Sequence, residues 1–149
     1  MERSQRAQID NLLFLVLRTI FHYKRIIARD YGLDFQQIYA LQFLRRHPHA
    51  RFTEIASEME LPKFTTSRLL NRLVKDGFIS KKQDQADRRN YCLLIEEKGE
   101  LVIQAIETAS CTRISTNIQS YSTAEVAELF EVAERLHMIL GVSDKVKNS

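Results

Sequence analysis

The chain has 149 residues, of which 44% are hydrophobic and 28% charged, with a formal net charge of +3. This length suits one compact domain or a domain with a helical extension. The apolar run Leu12 to Leu17 is too short to span a membrane, and the first residues do not resemble a signal peptide. Cys92 and Cys111 lack the spacing of a metal site or a disulfide framework, so a reducing, cytoplasmic compartment is expected.

Residues that break helices are scarce, with four glycines and two prolines, which favours a mostly helical chain. A first helix is expected over about Gln5 to Asp30. It is apolar on more than one side, so another element or another subunit must cover part of it. Asp34 is a suitable N-cap for a second helix that ends near Arg46, and Thr53 can cap a short third helix.

The stretch from Phe52 to Ile95 has the order helix, tight turn, helix, strand, charged tip, strand, which is typical of a winged helix-turn-helix. The second of these helices opens at Pro62 and ends at Asp76-Gly77. Its spacing predicts an apolar face and an opposite polar, cationic face. These faces are Leu70, Leu73, Val74 and Gly77, and Thr65, Arg68, Arg72 and Lys75. Two strands, Ile79 to Gln83 and Asn90 to Ile95, follow it and flank a tip that holds Arg88 and Arg89.

The positive charge is concentrated in this module. Residues 62–90 carry a net charge of +5, and the rest of the chain carries −2. A helix that is anchored on one side and presents arginines and hydroxyls on the other suits the major groove of DNA. The module is therefore predicted to bind double-stranded DNA.

Two further helices are expected after the second strand. The fifth should run from about Glu97 to Ser120, and the sixth begins at Ser122 with the spelling of a capping box. The sixth helix carries an apolar stripe between Val126 and Leu140. Apolar helices at both ends of a small DNA-binding core predict a homodimer built from the terminal regions. Residues 143–149 are expected to fray.

Six segments of the chain form a recognisable set of motifs: Leu33-Asp34-Phe35-Gln36, Phe52-Thr53-Glu54-Ile55-Ala56, Thr65-Thr66-Ser67-Arg68-Leu69-Leu70-Asn71-Arg72-Leu73, Asp76-Gly77-Phe78-Ile79, Asp87-Arg88-Arg89 and Glu97-Lys98-Gly99. In these segments the chain resembles the MarR family of transcriptional regulators, and the resemblance covers essentially the whole chain. The chain departs from the family pattern at two places. The recognition helix usually follows a small capping residue, and this chain has Pro62 there. Leu-Thr usually precedes Glu-Lys-Gly, and this chain has Ile95-Glu96 there.

The resemblance implies a homodimeric regulator with two winged modules on a pseudo-palindromic operator. Many members repress a promoter and release DNA when a small aromatic or anionic effector binds. The family pattern places Arg89 in the minor groove, where narrow grooves favour arginine. The expected DNA-binding residues are Lys63, Thr65, Thr66, Ser67, Arg68, Arg72, Arg88 and Arg89.

Some of these residues have a second interpretation. Thr66 lies on the same face as Leu70, so it is also a candidate for packing. Lys75 is expected to be remote from the duplex. Asp87 would repel phosphate, so it is expected to pair with Arg72 or Arg88 and to support the shape of the wing.

An effector pocket is expected between the first, second and fifth helices, with Tyr23, Tyr39 and Arg45 as candidates that could stack on and pair with an aromatic carboxylate. The alternative is that all three are ordinary residues of amphipathic helices. His47-Pro48-His49 is interpreted as a polar loop, so no metal and no cofactor is expected. The chain also lacks a nucleophile-base motif and a phosphate loop, which argues against an enzyme.

The sequence thus predicts a mainly α fold with a β-hairpin wing, as one MarR-like domain over residues 1–149. The winged helix-turn-helix lobe is expected at about 34–95, and the dimerisation helices at about 5–30 and 97–141. The predicted function is a sequence-specific, dimeric DNA-binding regulator that acts as a repressor. The alternative is a winged-helix module that uses the same surface to bind proteins.

Overall fold

The computed structural model describes residues 3–142, and in this range the fold is mainly helical with one β-hairpin. This confirms the predicted fold class. No helix in the described range combines the length and apolar character needed to cross a membrane. The elements are α1 (Arg3–Tyr31), α2 (Phe35–Arg46), α3 (Phe52–Met59), α4 (Lys63–Lys75), β1 (Ile79–Gln83), β2 (Tyr91–Ile95), α5 (Glu97–Asn117), a 3₁₀ turn (Ile118–Ser120) and α6 (Thr123–Ile139).

Two helices begin at the capping boxes that the sequence contains. At α2, the Gln37 backbone N–H donates to the Asp34 carboxylate at 2.8 Å, and the Asp34 N–H donates to the Gln37 side chain at 3.0 Å. At α6, the Ser122 N–H donates to the Glu125 carboxylate at 2.7 Å, and this bond lowers the pKa of Glu125. Each box satisfies backbone donors that the first helical turn leaves unpaired.

Two other helix starts differ from expectation, whereas α5 begins at Glu97 as expected. The α3 helix begins at Phe52, so Thr53 lies inside its first turn, and the Arg51 N–H donates to the Glu54 carboxylate at 2.6 Å. Pro62 is the N-cap of α4 and not its first residue. Glu96 is the N-cap of α5 but makes no side-chain capping bond, so its carboxylate contributes only through its charge near the helix N-terminus.

The buried core lies where α2, α4, the hairpin and α5 meet. The α2 helix supplies the central leucine, Leu41, and α5 supplies Ile103, and both side chains are fully buried. The other buried hydrophobic residues are Ile27, Leu33, Ile38, Ala40, Leu44, Ala50, Ile55, Leu69, Leu70, Leu73, Ile79, Leu93 and Ile106.

The hairpin is antiparallel and is joined to the segment before α3. Ile79 pairs with Ile95, and Gln83 pairs with Tyr91. Arg51 forms an isolated antiparallel bridge with Cys92, and the Leu93 N–H donates to the Ala50 carbonyl at 2.9 Å. This link fixes β2 to the segment that precedes α3.

Gly77 shapes the connection between α4 and the hairpin. Gly77 has a φ of +79° and directly follows the C-cap of α4. Its N–H donates to the Val74 carbonyl at 3.0 Å, and the Phe78 N–H donates to the Leu73 carbonyl at 2.9 Å. These two bonds form a Schellman motif, which ends α4 and turns the chain into β1.

The terminal helices leave much of their apolar surface exposed. Ile27 is the buried residue of α1, and α6 has none. The exposed large hydrophobic side chains of α1 are Ile9, Leu12, Leu13, Phe14, Leu15, Leu17, Ile20 and Phe21, and those of α6 are Leu129, Phe130, Val132, Met138 and Ile139. Soluble monomers rarely expose contiguous apolar patches of such extent.

Gly99 should be intolerant of any side chain. A Cβ atom there would lie 2.4 Å from the Phe78 carbonyl oxygen and 2.8 Å from Ile95 Cγ1. The same carbonyl accepts the Glu96 N–H at 2.9 Å, so it cannot move away freely. We expect Gly99→Ala to lower the free energy of unfolding by about 1–3 kcal/mol, the usual cost of overpacking.

Chemical denaturation monitored by circular dichroism measures this loss. Glu97→Ala is the matched control, because Glu97 is an exposed residue in the same helical turn. Its loss of a favourable charge near the helix N-terminus should cost less, about 0.3–1 kcal/mol. Equal stability of Gly99→Ala and the unsubstituted protein would contradict the close approach of α5 to Phe78.

Candidate nucleic-acid interface

The α4 helix has a buried face and an exposed face. Thr66, Leu69, Leu70 and Leu73 are its buried residues, with Leu73 fully buried. Around the opposite side, the exposed residues are Lys63, Phe64, Thr65, Arg68, Asn71, Arg72 and Lys75, which we call the outer face of α4. Ser67 is half-buried at its margin. The helix contains no acidic residue, so the whole outer face is polar or cationic apart from Phe64.

Thr66 does not belong to this surface. Its side chain is fully buried, and its hydroxyl donates to the Pro62 carbonyl at 3.3 Å. Its interpretation as a DNA-binding residue is therefore wrong for this conformation, and the packing interpretation holds. The hydroxyl bond to the preceding turn satisfies the one polar atom that burial would otherwise leave unpaired.

The cations of the module differ in what they contact. Within residues 3–142, Lys63, Arg68, Arg88 and Arg89 form no ion pair, so their charges face solvent. Arg72 lies 3.8 Å from the Asp76 carboxylate, a long and exposed pair of little energetic weight. Lys81 donates to the Asn71 side chain at 2.5 Å, which joins β1 to the outer face of α4.

A shallow cleft separates the outer face of α4 from the start of α2. Its volume is about 250 Å³. The residues that line it are Asp34, Gln36, Gln37, Thr65, Arg68, Leu69 and Arg72. Arg68 and Arg72 therefore lie beside the N-terminus of α2, where backbone dipoles also favour an anion.

The tip between β1 and β2 is held by carboxylates bonded to its own backbone. The Asp84 carboxylate accepts the Ala86 N–H at 2.9 Å and pairs with Arg51 at 3.2 Å. The Asp87 carboxylate accepts the Arg89 N–H at 3.0 Å and the Asn90 side-chain amide at 3.3 Å. The Gln83 side chain donates to the Arg88 carbonyl at 2.7 Å.

These bonds correct the expected partners of Asp87. Its carboxylate binds neither the Arg72 nor the Arg88 side chain, but the backbone of Arg89 and the side chain of Asn90. Such a turn, closed by an aspartate on the N–H two residues on, fixes local backbone conformation. Because the carboxylate is used for this purpose, both arginine side chains at the tip stay unpaired.

The three expected effector residues each have a partner within the chain. The Tyr23 hydroxyl bonds Ser110 on α5 at 2.5 Å, and the Tyr39 hydroxyl bonds Glu58 on α3. Burial, followed by the bond to Glu58, raises the pKa of Tyr39 to about 12. Arg45 lies 2.6 Å from the Glu107 carboxylate and 3.3 Å from that of Glu100.

The pocket beside Arg45 differs from the expected one. It measures about 620 Å³, and all its other lining residues belong to α5: Gln104, Glu107, Thr108, Cys111, Thr112, Ser115 and Thr116. Two glutamates already neutralise the Arg45 guanidinium, so an aromatic carboxylate would have to displace them. Hydroxyl groups dominate the remaining wall, which the sequence pattern did not single out.

The segment His47-Pro48-His49, which could suggest a metal site, can be compared with the structure. Residues 3–142 contain no group of three or more His, Cys, Asp or Glu side chains arranged to hold a metal ion. His47 stacks on Phe43 with a ring separation of 4.2 Å, and its Nδ1 lies 3.1 Å from the Phe43 carbonyl oxygen. Its position is therefore explained by the end of α2.

Sequence reasoning missed Phe64 as a residue of this surface. Its side chain is 75% exposed in the first turn of α4. The signal was present, because Phe64 lies four residues before Arg68 and therefore on the same side of the helix.

Comparison with known proteins agrees with this geometry. The model of the MarR family matches residues 31–90. The HTH-type transcriptional regulator BilQ of Clostridioides difficile (strain CD3) is 28% identical over 116 residues, which cover 78% of this chain and 74% of BilQ.

Two solved structures share the fold. A MarR family protein from Bacillus stearothermophilus superimposes with a TM-score of 0.83 at 22% identity, over 95% of this chain and 99% of that one. Streptococcus pneumoniae FabT, solved in complex with DNA, superimposes with a TM-score of 0.78 at 17% identity, over 91% of this chain and 97% of its own. In its motifs and its fold, the chain is therefore similar to the MarR family of winged helix-turn-helix transcriptional regulators.

Proposed function

We propose that this protein is a homodimeric, sequence-specific repressor that occludes a promoter by binding a pseudo-palindromic operator. Each subunit places α4 in a major groove and the tip of its hairpin in the adjacent minor groove. The proposed contacts are Lys63, Thr65, Ser67, Arg68 and Arg72 from α4, and Arg88 and Arg89 from the tip. A small aromatic or anionic effector that favours a DNA-incompetent state would relieve repression.

The observation that carries this proposal is that four cations form no ion pair among the described residues: Lys63 and Arg68 on the outer face of α4, and Arg88 and Arg89 at the hairpin tip. Arg68 and Arg89 form no ion pair among the described residues, although acidic side chains are present nearby. Charges that remain solvated are free to neutralise phosphate and to release its counterions. The N-terminal part of a recognition helix is also where base edges are contacted in helix-turn-helix proteins.

The exposed apolar surface of α1 and α6 supports the dimer. Phe14 and Leu17 of α1 are 68% and 67% exposed, and Ile139 of α6 is 69% exposed. Contact with a second copy would remove this surface from water, at about 25 cal/mol per Å² of apolar area. A two-fold symmetric pair would also match the two-fold symmetry of a palindromic operator.

Binding of another protein by the same surface is the competing function. The two are separated by the dependence of affinity on salt, because DNA binding must release counterions in proportion to the phosphates contacted. Selection of bound sequences from random DNA by the purified protein provides the operator. Binding of a selected sequence that weakens steeply with salt supports the proposal, and failure to bind any DNA would refute it.

The proposed dimer predicts that a charge on the apolar face of α1 weakens dimerisation. Phe14→Glu places a carboxylate on the exposed apolar face of α1, and dimer contact would bury it. We expect dimerisation to weaken by at least about 3 kcal/mol, the scale of an uncompensated buried charge. Sedimentation velocity at micromolar concentration measures the change. Ser57→Glu, on exposed α3, adds the same charge elsewhere and should remain dimeric. A stable dimer of Phe14→Glu would exclude this face.

Alanine substitutions of Arg68 on α4 and of Arg89 at the tip should change DNA binding in different ways. Arg68→Ala should cost about 1–3 kcal/mol per half-site and relax specificity at one operator position, if it contacts a base edge. Arg89→Ala should weaken all sequences more evenly and reduce the salt slope by about one unit per half-site. Fluorescence anisotropy over a salt series measures both. Lys75→Ala is the control, since Lys75 lies at the far end of α4, and it should change little.

Substitutions of Asp87 test whether the backbone shape of the tip, or only its positive charge, determines the affinity for DNA. Asp87→Ala removes the acceptor of the Arg89 N–H, so we expect weaker operator binding, by about 0.5–1.5 kcal/mol, although a negative charge is lost. Asp87→Asn removes the charge but keeps an oxygen acceptor, so it should bind at least as tightly as the unsubstituted protein. Tighter binding by both variants would show that only charge matters.

A further inference from the structure

Phe64 is the most exposed of the large hydrophobic side chains in residues 3–142, at 75%. The next most exposed, Ile139, Phe14 and Leu17, belong to α6 and α1, where the proposed dimer contact would cover them. Phe64 belongs to α4, which packs on α2, α3 and β1. A contact between terminal helices therefore leaves Phe64 in water.

The position of Phe64 on α4 shows that the fold does not need its ring. Phe64 precedes Leu73 by nine residues, which at about 100° per residue amounts to half a turn around the helix. Leu73 is fully buried, so Phe64 points directly away from the core. A benzyl group at this place gives folding little burial energy, and phenylalanine is also a poorer helix former than alanine.

The surroundings of Phe64 define what could cover it. Lys63 precedes it, and Arg68 follows on the same side of the helix at i+4. Neither cation has an ion-pair partner in the described range, and α4 contains no acidic residue. A partner must therefore offer dense negative charge together with an apolar group that an aromatic ring can contact.

DNA provides both in its major groove. Phosphates line the groove, and the C5-methyl group of thymine is the apolar group that base pairs present there. Phe64 is the second residue of α4, and the first residues of a recognition helix approach the base edges. Resting on the proposed DNA-binding function, we propose that Phe64 packs on the C5-methyl group of one thymine in each half-site and selects for that base.

Deoxyuridine provides a direct test, because it lacks only the methyl group and pairs as thymine does. The operator is first selected from random DNA with the unsubstituted protein. Each thymine of a half-site, with its symmetry mate, is then replaced in turn by deoxyuridine. We expect one position at which affinity falls by about three- to tenfold, the scale of a lost methyl contact.

Three variants assign that loss to Phe64. Phe64→Ala should bind the thymine and deoxyuridine operators equally, whereas Phe64→Leu should retain part of the difference. Arg68→Ala should bind more weakly but keep the full difference, because it leaves the ring in place. Phe64→Ala should also unfold at the same temperature as the unsubstituted protein or a higher one, since the ring has no core contact.

The possible outcomes separate this inference from the function on which it rests. If the protein binds no DNA, the function and the inference both fail. If it binds a selected operator but no deoxyuridine position matters, or if Phe64→Ala keeps the penalty, the inference alone is overturned. A protein partner that covers Phe64 would give that second pattern.

Discussion

The packing of α4 is the constraint on which the rest of the structure depends. One side of the helix must pack against the core firmly enough to fix the direction of the helix. The other side must stay exposed to solvent. Leu69, Leu70 and Leu73 anchor α4 in the core, and burial of each leucine stabilises the fold by about 1.5–3 kcal/mol. Thr66 adds packing without leaving an unpaired hydroxyl, because it bonds Pro62. On the outer face, Asn71 contributes a hydrogen bond to Lys81 of β1.

The hairpin tip also contains two kinds of residue: aspartates that fix the backbone and arginines whose side chains form no ion pair among the described residues. Asp84 and Asp87 use their carboxylates on backbone N–H groups of the tip, and Asp84 also pairs with Arg51 beside the core. The aspartates therefore define the path of the chain, and Arg88 and Arg89 keep their charges. An ion pair between Asp87 and a tip arginine would have fixed the loop as well, but it would have neutralised the group that is proposed to meet DNA.

Much of this fold could be predicted because its signals are local. The capping boxes at Asp34 and Ser122, and the glycine that ends α4, each depend on residues within one helical turn. The apolar spacing of α4 likewise placed Leu70 and Leu73 in the core. The bridge between Arg51 and Cys92 was not predicted, since a single pair forty-one positions apart leaves no periodic pattern.

The site residues were predicted less well, for reasons that differ from case to case. Thr66 was assigned to DNA by its residue type, and the helical period that placed it beside Leu70 was the better guide. The partner of Asp87 could not be chosen from sequence, because a carboxylate can bond a side chain or a nearby backbone with equal ease. Arg45 is predicted from the sequence to pair with an anionic effector. In the structure it pairs with Glu100 and Glu107 of α5, which lie more than fifty positions later in the chain.

The distribution of charge explains why two copies would join through the chain ends. Residues 62–90 carry +5 and the remainder carries −2, so two copies would repel each other more strongly through residues 62–90 than through the rest of the chain. That repulsion decays over about 8 Å at physiological ionic strength, which favours an assembly that keeps the modules apart. Long apolar helices at both ends of the chain can provide such a separation. In the proposed complex, DNA phosphates would neutralise part of the charge on the two cationic surfaces.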